Sequence, residues 1–404
     1  MISATRLHFD DELLTTLGLP GGPLNVWRGL GSGLTRREDD PPGVIWAVGD
    51  RGPNLKVELA VERYGLTALA IHAQSEGAKV MPCPEIGPAL SELRVTGDRV
   101  ELLRSFPLVD ADGRALTGLP TPGGAGVAEP AIGLDAQVIA PDPAGADTEG
   151  IVAKASGFVI GDEYGPSLLH VSHAGEVTAR WVPQGTEAGF AAAGYPVVGA
   201  LPAIAGLRRL NRGFEAMATM PDGALLLAFQ SPLAHPDEAA HRAARHTRIW
   251  KLDGAGAVTD QWLYPFDAPE SFRRDVAQGE FGWADIKVSE MLLLPSGRLL
   301  VLERGSATTK LYLVTLAPDL RVGDEHLKIA TRPTLEERSA SGNAPPALRK
   351  ELVLSTDDLP EVDPDLEGMV LLSPSTLLLV NDNDFGVEGV RTRFWRMELD
   401  QELT

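Results

Sequence analysis

Ten carboxylates recur in this chain in a pattern that could hold a cation. Glu149, Glu215, Glu290 and Glu367 each open a short apolar run, and Asp50, Asp162 with Glu163, Glu303, and Asp382 with Asp384 each close one. The last copy shows the pattern best: DLEGMVLLSPSTLLLVNDNDFGV, at 365–387, runs from a glutamate through two apolar stretches to an acidic cluster. Like charges gathered within ~4–6 Å raise one another's pKa, so such a set takes up protons, spreads apart or binds a cation. Calcium accepts about 6–8 oxygens in loose geometry, and Asn211, Asn381 and Asn383 would add neutral oxygens. No His or Cys accompanies these positions, which argues against zinc. Calcium is the expected ion, with another divalent cation the alternative. The candidate ligands are Glu149, Asp162, Glu163, Glu215, Glu290, Glu367, Asp382 and Asp384. Glu149, Glu163 and Glu367 are the candidate catalytic carboxylates. Arg51, in GDRGPN, and Arg304, in LERG, could grip the phosphate or carboxylate of a substrate through paired hydrogen bonds. The competing reading is structural: each carboxylate bonds backbone N–H groups of its own or the next unit, and each arginine pairs with a neighbouring acid.

The elements that must position these groups are hairpins. Residues 147–164 (DTEGIVAKASGFVIGDEY), 213–232 (GFEAMATMPDGALLLAFQSP) and 289–305 (SEMLLLPSGRLLVLERG) repeat the arrangement, and 32–54 (SGLTRREDDPPGVIWAVGDRGPN) is a looser copy. A third strand follows at 167–173, 247–253, 310–316 and 393–399, with the β-branched and aromatic alternation of a covered strand. In a hairpin the start of the first strand and the end of the second share one edge, so the acids should meet at one mouth. The four glutamates are 66, 75 and 77 residues apart. With strands over 86–109 counted as a further unit, six units share 404 residues at about 67 each. Strand-rich units of this kind close radially, so the expected fold is all-β, a β-propeller of six blades, with five or seven the alternatives. ATRLHFD, at 4–10, would close the ring as the outer strand of the last blade. Residues 183–210, 234–246 and 317–351 read as loop and helix insertions, so 1–404 is taken as one domain.

Bulk composition narrows the partners. Lys plus Arg is 36 against Asp plus Glu 56, a formal charge of −20, which repels nucleic acid and anionic membrane surfaces. A single cysteine, Cys83, excludes a disulfide framework and a thiolate zinc site. No stretch approaches the ~18 apolar residues of a membrane span. The start, MISATRLHFDDEL, has no basic or apolar signal region, so a cytoplasmic monomer is expected, periplasmic or secreted if a leader has been removed. His235, His241 and His246 read as a solvated helical face. No G-x-S-x-G elbow, P-loop or dinucleotide fingerprint occurs. Trp46, Trp250 and Trp395 are expected to pack between units.

At these motifs the chain resembles the phytase-like family, described by an esterase-like activity of phytase. The likeness rests on SGL and DRGPN within 32–54, DADGRALTGLP at 110–120, DTEGI at 147–151 and GDEYGPSLLHVSHAG at 161–175. NRGFEAMA at 211–218, LLPSGRLLVLERG at 293–305, and LEGM with NDNDFG at 366–386 complete it. The resemblance implies a propeller related to calcium-dependent phytases, with calcium at an acidic channel mouth and phosphate bound to it. Two positions depart from the pattern: Ala216 follows Glu215 where Gly is usual, and Gln230-Ser231 stands where other units carry acids. The chain also lacks the density of Lys and Arg that phytate would call for. The expected activity is hydrolysis of a phosphate ester or related small anionic ester. The alternatives are a sugar-lactonase-like hydrolase using a Glu, Asn and Asp metal set, and a non-catalytic calcium-binding scaffold or sensor.

Overall fold

In the computed structural model, which describes residues 2–122 and 129–403, short strands dominate and helices are few. Turn chemistry explains the hairpins. PDG at 221–223 and PSG at 295–297 put Gly223 and Gly297 at φ +84° and +81°, a left-handed position that costs glycine nothing. The strands after these turns, Leu225–Phe229 and Leu299–Arg304, are buried along their whole length, which is why they read as unbroken apolar runs.

Five large sheets carry the fold. The first has strands Gly33–Thr35, Val44–Val48, Ala89–Thr96 and Arg99–Pro107; the second Thr148–Lys154, Gly157–Asp162, Ser167–Ser172 and Val177–Pro183, with Val197–Leu201 added in parallel. The third has Phe214–Thr219, Leu225–Phe229, His246–Leu252 and Val258–Pro265; the fourth Lys287–Leu293, Leu299–Arg304, Thr309–Val314 and Lys350–Ser355. The fifth joins Leu366–Ser373, Thr376–Asn381 and Phe394–Glu398 to Ser3–Leu7, so the two ends of the chain share a sheet. The strands over 86–109, expected as a unit of their own, instead complete the first sheet. Beside the ring lie a hairpin, Leu13–Leu19 with Gly22–Trp27, and a small sheet of two-residue strands at 55–56, 79–80, 131–132 and 138–139.

The first strands touch in sequence around a closed cycle, sheet one to two, three, four, five and back to one. An apolar cluster fills each gap between neighbouring sheets: Trp46 with Phe158, Val159 with Trp250, Ile249 with Met291, Leu302 with Trp395, and Ile45 with Phe394. Trp46, Trp250 and Trp395 therefore do lie between units. The insertions hold short capped helices, Glu238–Ala243 behind Asp237 and Leu335–Ala340 behind a Thr334–Glu337 capping box. The histidines do not form a solvated face. His241 is fully buried with Nδ1 against the Pro232 carbonyl, and His235 and His246 meet the Ile329 carbonyl and the Ser339 hydroxyl. Among the described residues no helix is long and apolar enough to cross a membrane.

Neighbouring first strands approach so closely that a Cβ on Gly150 would lie 1.8 Å from the Glu215 carbonyl oxygen. Gly150→Ala is expected to destabilise the protein by about 1–3 kcal/mol in denaturant unfolding. Gly254→Ala, with nothing within 4 Å, should leave the midpoint unchanged. Equal midpoints for the two variants would contradict the close approach.

Candidate functional site: an acidic cavity at the centre of the ring

Four first strands pair out of step with their partners by one residue near their start. The pairing shifts after Thr148–Asp162, Phe214–Phe229, Val288–Glu303 and Leu366–Asn381. A bulge of this kind re-aims the side chain it carries. The residues that follow the first pair are Glu149, Glu215, Ser289 and Glu367, and the three glutamates line a shared cavity of about 150 Å³. Glu290 is one residue further along and so takes the other face of its strand. Its carboxylate accepts from the backbone N–H groups of Leu34 and Met291 and does not line the cavity.

The same phase sorts the strand ends. Asp162, Phe229, Glu303 and Asn381 point away, and the next residues, Glu163, Gln230, Arg304 and Asp382, line the cavity together with Asp50. Asp162 is a structural hub instead. It pairs with the fully buried Arg180 at 2.8 Å and accepts from Ser167 Oγ and the Asp147 N–H. Glu303 accepts from Lys350 Nζ and the Asp267 N–H. Of the three asparagines only Asn211 lines the cavity. Asn383 is spent on the Leu30 and Phe385 N–H groups and the Arg28 carbonyl, and Asn381 on the Arg393 N–H.

Of the candidates read from the sequence, the structure thus brings together Glu149, Glu163, Glu215, Glu367, Asp382 and Asp384 with Arg51 and Arg304. It leaves Asp162 and Glu290 outside. It adds Lys79, Lys287 and Asp365 on the wall, and Asp147 beside it. Asp147 stood in plain view two residues before Glu149, in the DTEG motif, but the loop that turns it inward has no sequence signature.

Two sets of three carboxylates could each hold an ion, Asp50 with Asp147 and Glu149, and Glu149 with Glu367 and Asp382. In each set, one oxygen per residue lies within 4.8 Å of the others. Buried oxygens without hydrogen-bond partners, on Asp147, Glu149 and Glu215, mark unmet demand for positive charge. Arg51 answers part of it, in contact with Glu129, 2.8 Å from Asp147 and 3.3 Å from Asp50, under the ring of Tyr164. Arg304 answers another part, in contact with Glu367 and 2.5 Å from Asp365, with Nε donating to Ser289 Oγ. Arg51 also donates to Asn211 Oδ1 and Arg304 to the Gly305 carbonyl, and both guanidiniums are buried on the cavity wall.

Four of the carboxyls in the cavity resist ionisation. Burial, then the charges of Glu163, Asp147, Asp50 and Glu215, hold Glu149 well above the usual carboxylate range. Burial and Asp384 do the same to Asp382. Burial and then Glu215 push Glu163 up to about 7 against the pull of Arg51, Arg212 and Arg208. Burial, Asp50 and Asp365 push Asp384 to about 6. Asp50 runs the other way: burial would raise it, but Arg51 and hydrogen bonds from Asp147 and the Arg51 N–H outweigh that and lower it. An all-oxygen, mutually repelling, underpartnered set is what a hard divalent cation fits.

A closed cycle of β-sheets around an acidic, oxygen-lined cavity thus defines the class of protein. Residues 25–385, nearly the whole chain, match the family described as Phytase-like: Esterase-like activity of phytase, and the chain belongs to that family. No curated protein matches it. Among solved structures, the PQQ-bound aldose sugar dehydrogenase of Streptomyces coelicolor is similar at 11% identity and TM-score 0.33, over 99% of both chains. Virginiamycin B lyase of Staphylococcus aureus is similar at 11% identity and TM-score 0.36, over 99% of this chain and 100% of that one. Superpositions this loose carry no activity or substrate over to this chain.

A carboxyl whose folded pKa lies above its unfolded value favours the folded state at low pH and loses that contribution as pH rises through the folded value. For Asp384, from 3.8 to about 6, and Glu163, from 4.5 to about 7, the window is pH 4 to 7. In chelator, the melting temperature should therefore fall by several degrees between pH 5 and 7.5, and Glu163→Gln should flatten the fall. A metal-free protein equally stable across that window would contradict the mutual repulsion of these carboxylates.

Proposed function

We propose that the protein is a metal-dependent hydrolase of a phosphate ester or related small anionic ester, working at one mouth of a five-bladed β-propeller whose blades are the five large sheets. The observation that carries this reading is the convergence of Glu149, Glu367 and Asp382 with an unpartnered Glu149 oxygen among them. The family's description, an esterase-like activity, supports the reaction class. Calcium suits the set, because among the described residues carboxylate and amide oxygens are offered and no imidazole or thiolate ligand lines the cavity.

When bound, the ion would supply polarisation of an ester oxygen and a lower pKa for water. The chain's own residues do the rest. Glu149, Glu367 and Asp382 bind, and Asp50 and Asp147 offer a second set that shares Glu149. Arg51 and Arg304 hold neighbouring carboxylates on the cavity wall. Glu163 lies on the same wall with one oxygen tied to the Gly213 N–H. Its pKa near 7 suits a general base, which works best when its pKa is close to the operating pH. The cavity, about 150 Å³, is smaller than the ~300–1,000 Å³ of pockets that engulf drug-sized ligands. It takes one phosphate-sized group and leaves the remainder of the substrate at the mouth.

Elemental analysis of the purified protein, followed by hydrolysis of a generic phosphomonoester with and without chelator, tests this. Glu149→Gln should lose the bound metal and at least about 100-fold in kcat/KM, the upper range seen for groups that merely support metal ligands. Glu290→Gln should keep its metal affinity. Metal retained without turnover of any ester would make the protein a binding propeller, and lactone turnover alone would replace the substrate class. Neither metal nor turnover would end the reading.

A further inference from the structure

The strand-end positions that ring the cavity carry, in sheet order, Asp50, Glu163, Gln230, Arg304 and Asp382. Three acids thus face one neutral amide and one cation, and the two exceptions are neighbours, on sheets three and four. Gln230 is where the acidic repeat breaks. Its Oε1 accepts from Arg212 Nη1 at 2.6 Å and brings no negative charge to it. Among the described residues Arg212 makes no salt bridge.

Lys287 opens the first strand of sheet four and lines the cavity at this corner. Among the described residues its ammonium makes neither a hydrogen bond nor a salt bridge. The other cations on the wall are already answered. Arg51 and Arg304 contact carboxylates, and Lys79, whose ammonium likewise makes no hydrogen bond or salt bridge among the described residues, stands beside Asp50 and Asp384, whereas Lys287 stands beside Arg304 and Arg212. Burial and the like charges of Arg304 and Arg212 press Lys287 down to about 7, with Asp365 and Glu215 pulling weakly the other way. A lysine so placed meets more like charge than counter-charge, and an arriving oxyanion would redress the balance.

We propose that Lys287, backed by Arg212, receives the phosphate of the substrate in a positive corner that exists because Gln230 replaces the strand-end carboxylate of the other sheets. This inference rests on the reading of the cavity as an ester-hydrolase site, and it moves anion recognition from Arg51 and Arg304 to a residue outside every repeated motif. The cavity is then two-sided, with the two three-carboxylate sets for a cation on sheets one, two and five and an ammonium for an oxyanion between sheets three and four, beside Glu215.

Calorimetric titration of the calcium-loaded protein with inorganic phosphate tests it. Lys287→Met should weaken phosphate at least about tenfold, the scale of one charge-assisted contact, and Lys287→Arg should retain most of the affinity. Gln230→Glu, which restores the missing counter-charge without touching Lys287, should weaken phosphate as well. Calcium content and melting temperature should stay at wild-type values in Lys287→Met and Lys287→Arg, and in turnover the loss for Lys287→Met should fall mainly in KM. Unchanged phosphate affinity in Lys287→Met, or no phosphate binding by calcium-loaded wild type, overturns the inference and leaves the metal site standing. Phosphate binding that depends on Lys287 in a protein that holds no metal and turns over no ester keeps the anion corner and overturns the hydrolase reading.

Discussion

One extra residue at the head of four inner strands decides what this ring of sheets presents to its centre. In a strand the side chains alternate, so a single-residue bulge exchanges the inward and outward sets. It turns Glu149, Glu215 and Glu367 into the cavity and sends Asp162 and Glu303 on the partner strands outward. Close contact between neighbouring inner strands, tight enough to require Gly150, then brings carboxylates from different sheets within coordinating distance. The outward acids are not idle. Asp162 anchors Arg180, Glu303 anchors Lys350, and Glu290 ties sheet four to the backbone of Leu34.

Gathering buried carboxylates around a cavity of this size costs free energy unless opposite charge accompanies them. Arg51 and Arg304 provide some, each reaching three or more acids, but they are shared too widely to neutralise the set. The unpartnered oxygens of Glu149 and Asp147 and the raised pKa values of Glu149, Asp147 and Asp382 express the same deficit. Such a deficit is a poor way to stabilise a fold and a good way to hold a cation. Carboxylates that repel one another are already converged, so little reorganisation would accompany the binding of a cation.

The repeat was legible in the sequence because each second strand is buried on both faces and reads as an unbroken apolar run between turn residues. The sheet count was harder. The first sheet's inner strand, Gly33–Thr35, is three residues long and has no glutamate, so its outer strands at 89–107 looked like a unit of their own. Within the site, membership of the acidic motifs was legible and phase was not. Asp162 and Glu163, Ser289 and Glu290, and Glu303 and Arg304 are adjacent pairs whose inward member is chosen by the bulge, and no residue type announces it. Lys79 was out of reach for a different reason. It arrives from the small sheet outside the ring, at a distance in sequence from every repeat.

A fivefold ring of identical acidic ends would be electrostatically uniform, able to concentrate cations and little else. The departures from the repeat break that uniformity in one sector. Ser289 takes the glutamate position, Gln230 the position of an acid, and Arg304 that of another, all on sheets three and four. The result is an uneven distribution of charge around the cavity, with Lys287 and Arg304 gathered on one side beside Glu215 and Asp365, in positions set by strand pairing. Preorganised fields of this kind act on a polar bond placed across them, because the cost of orienting the dipoles was met when the protein folded. The charge presented to the cavity therefore depends less on the repeat than on where the repeat fails, and Gln230 and Ser289 matter for the charges they leave out.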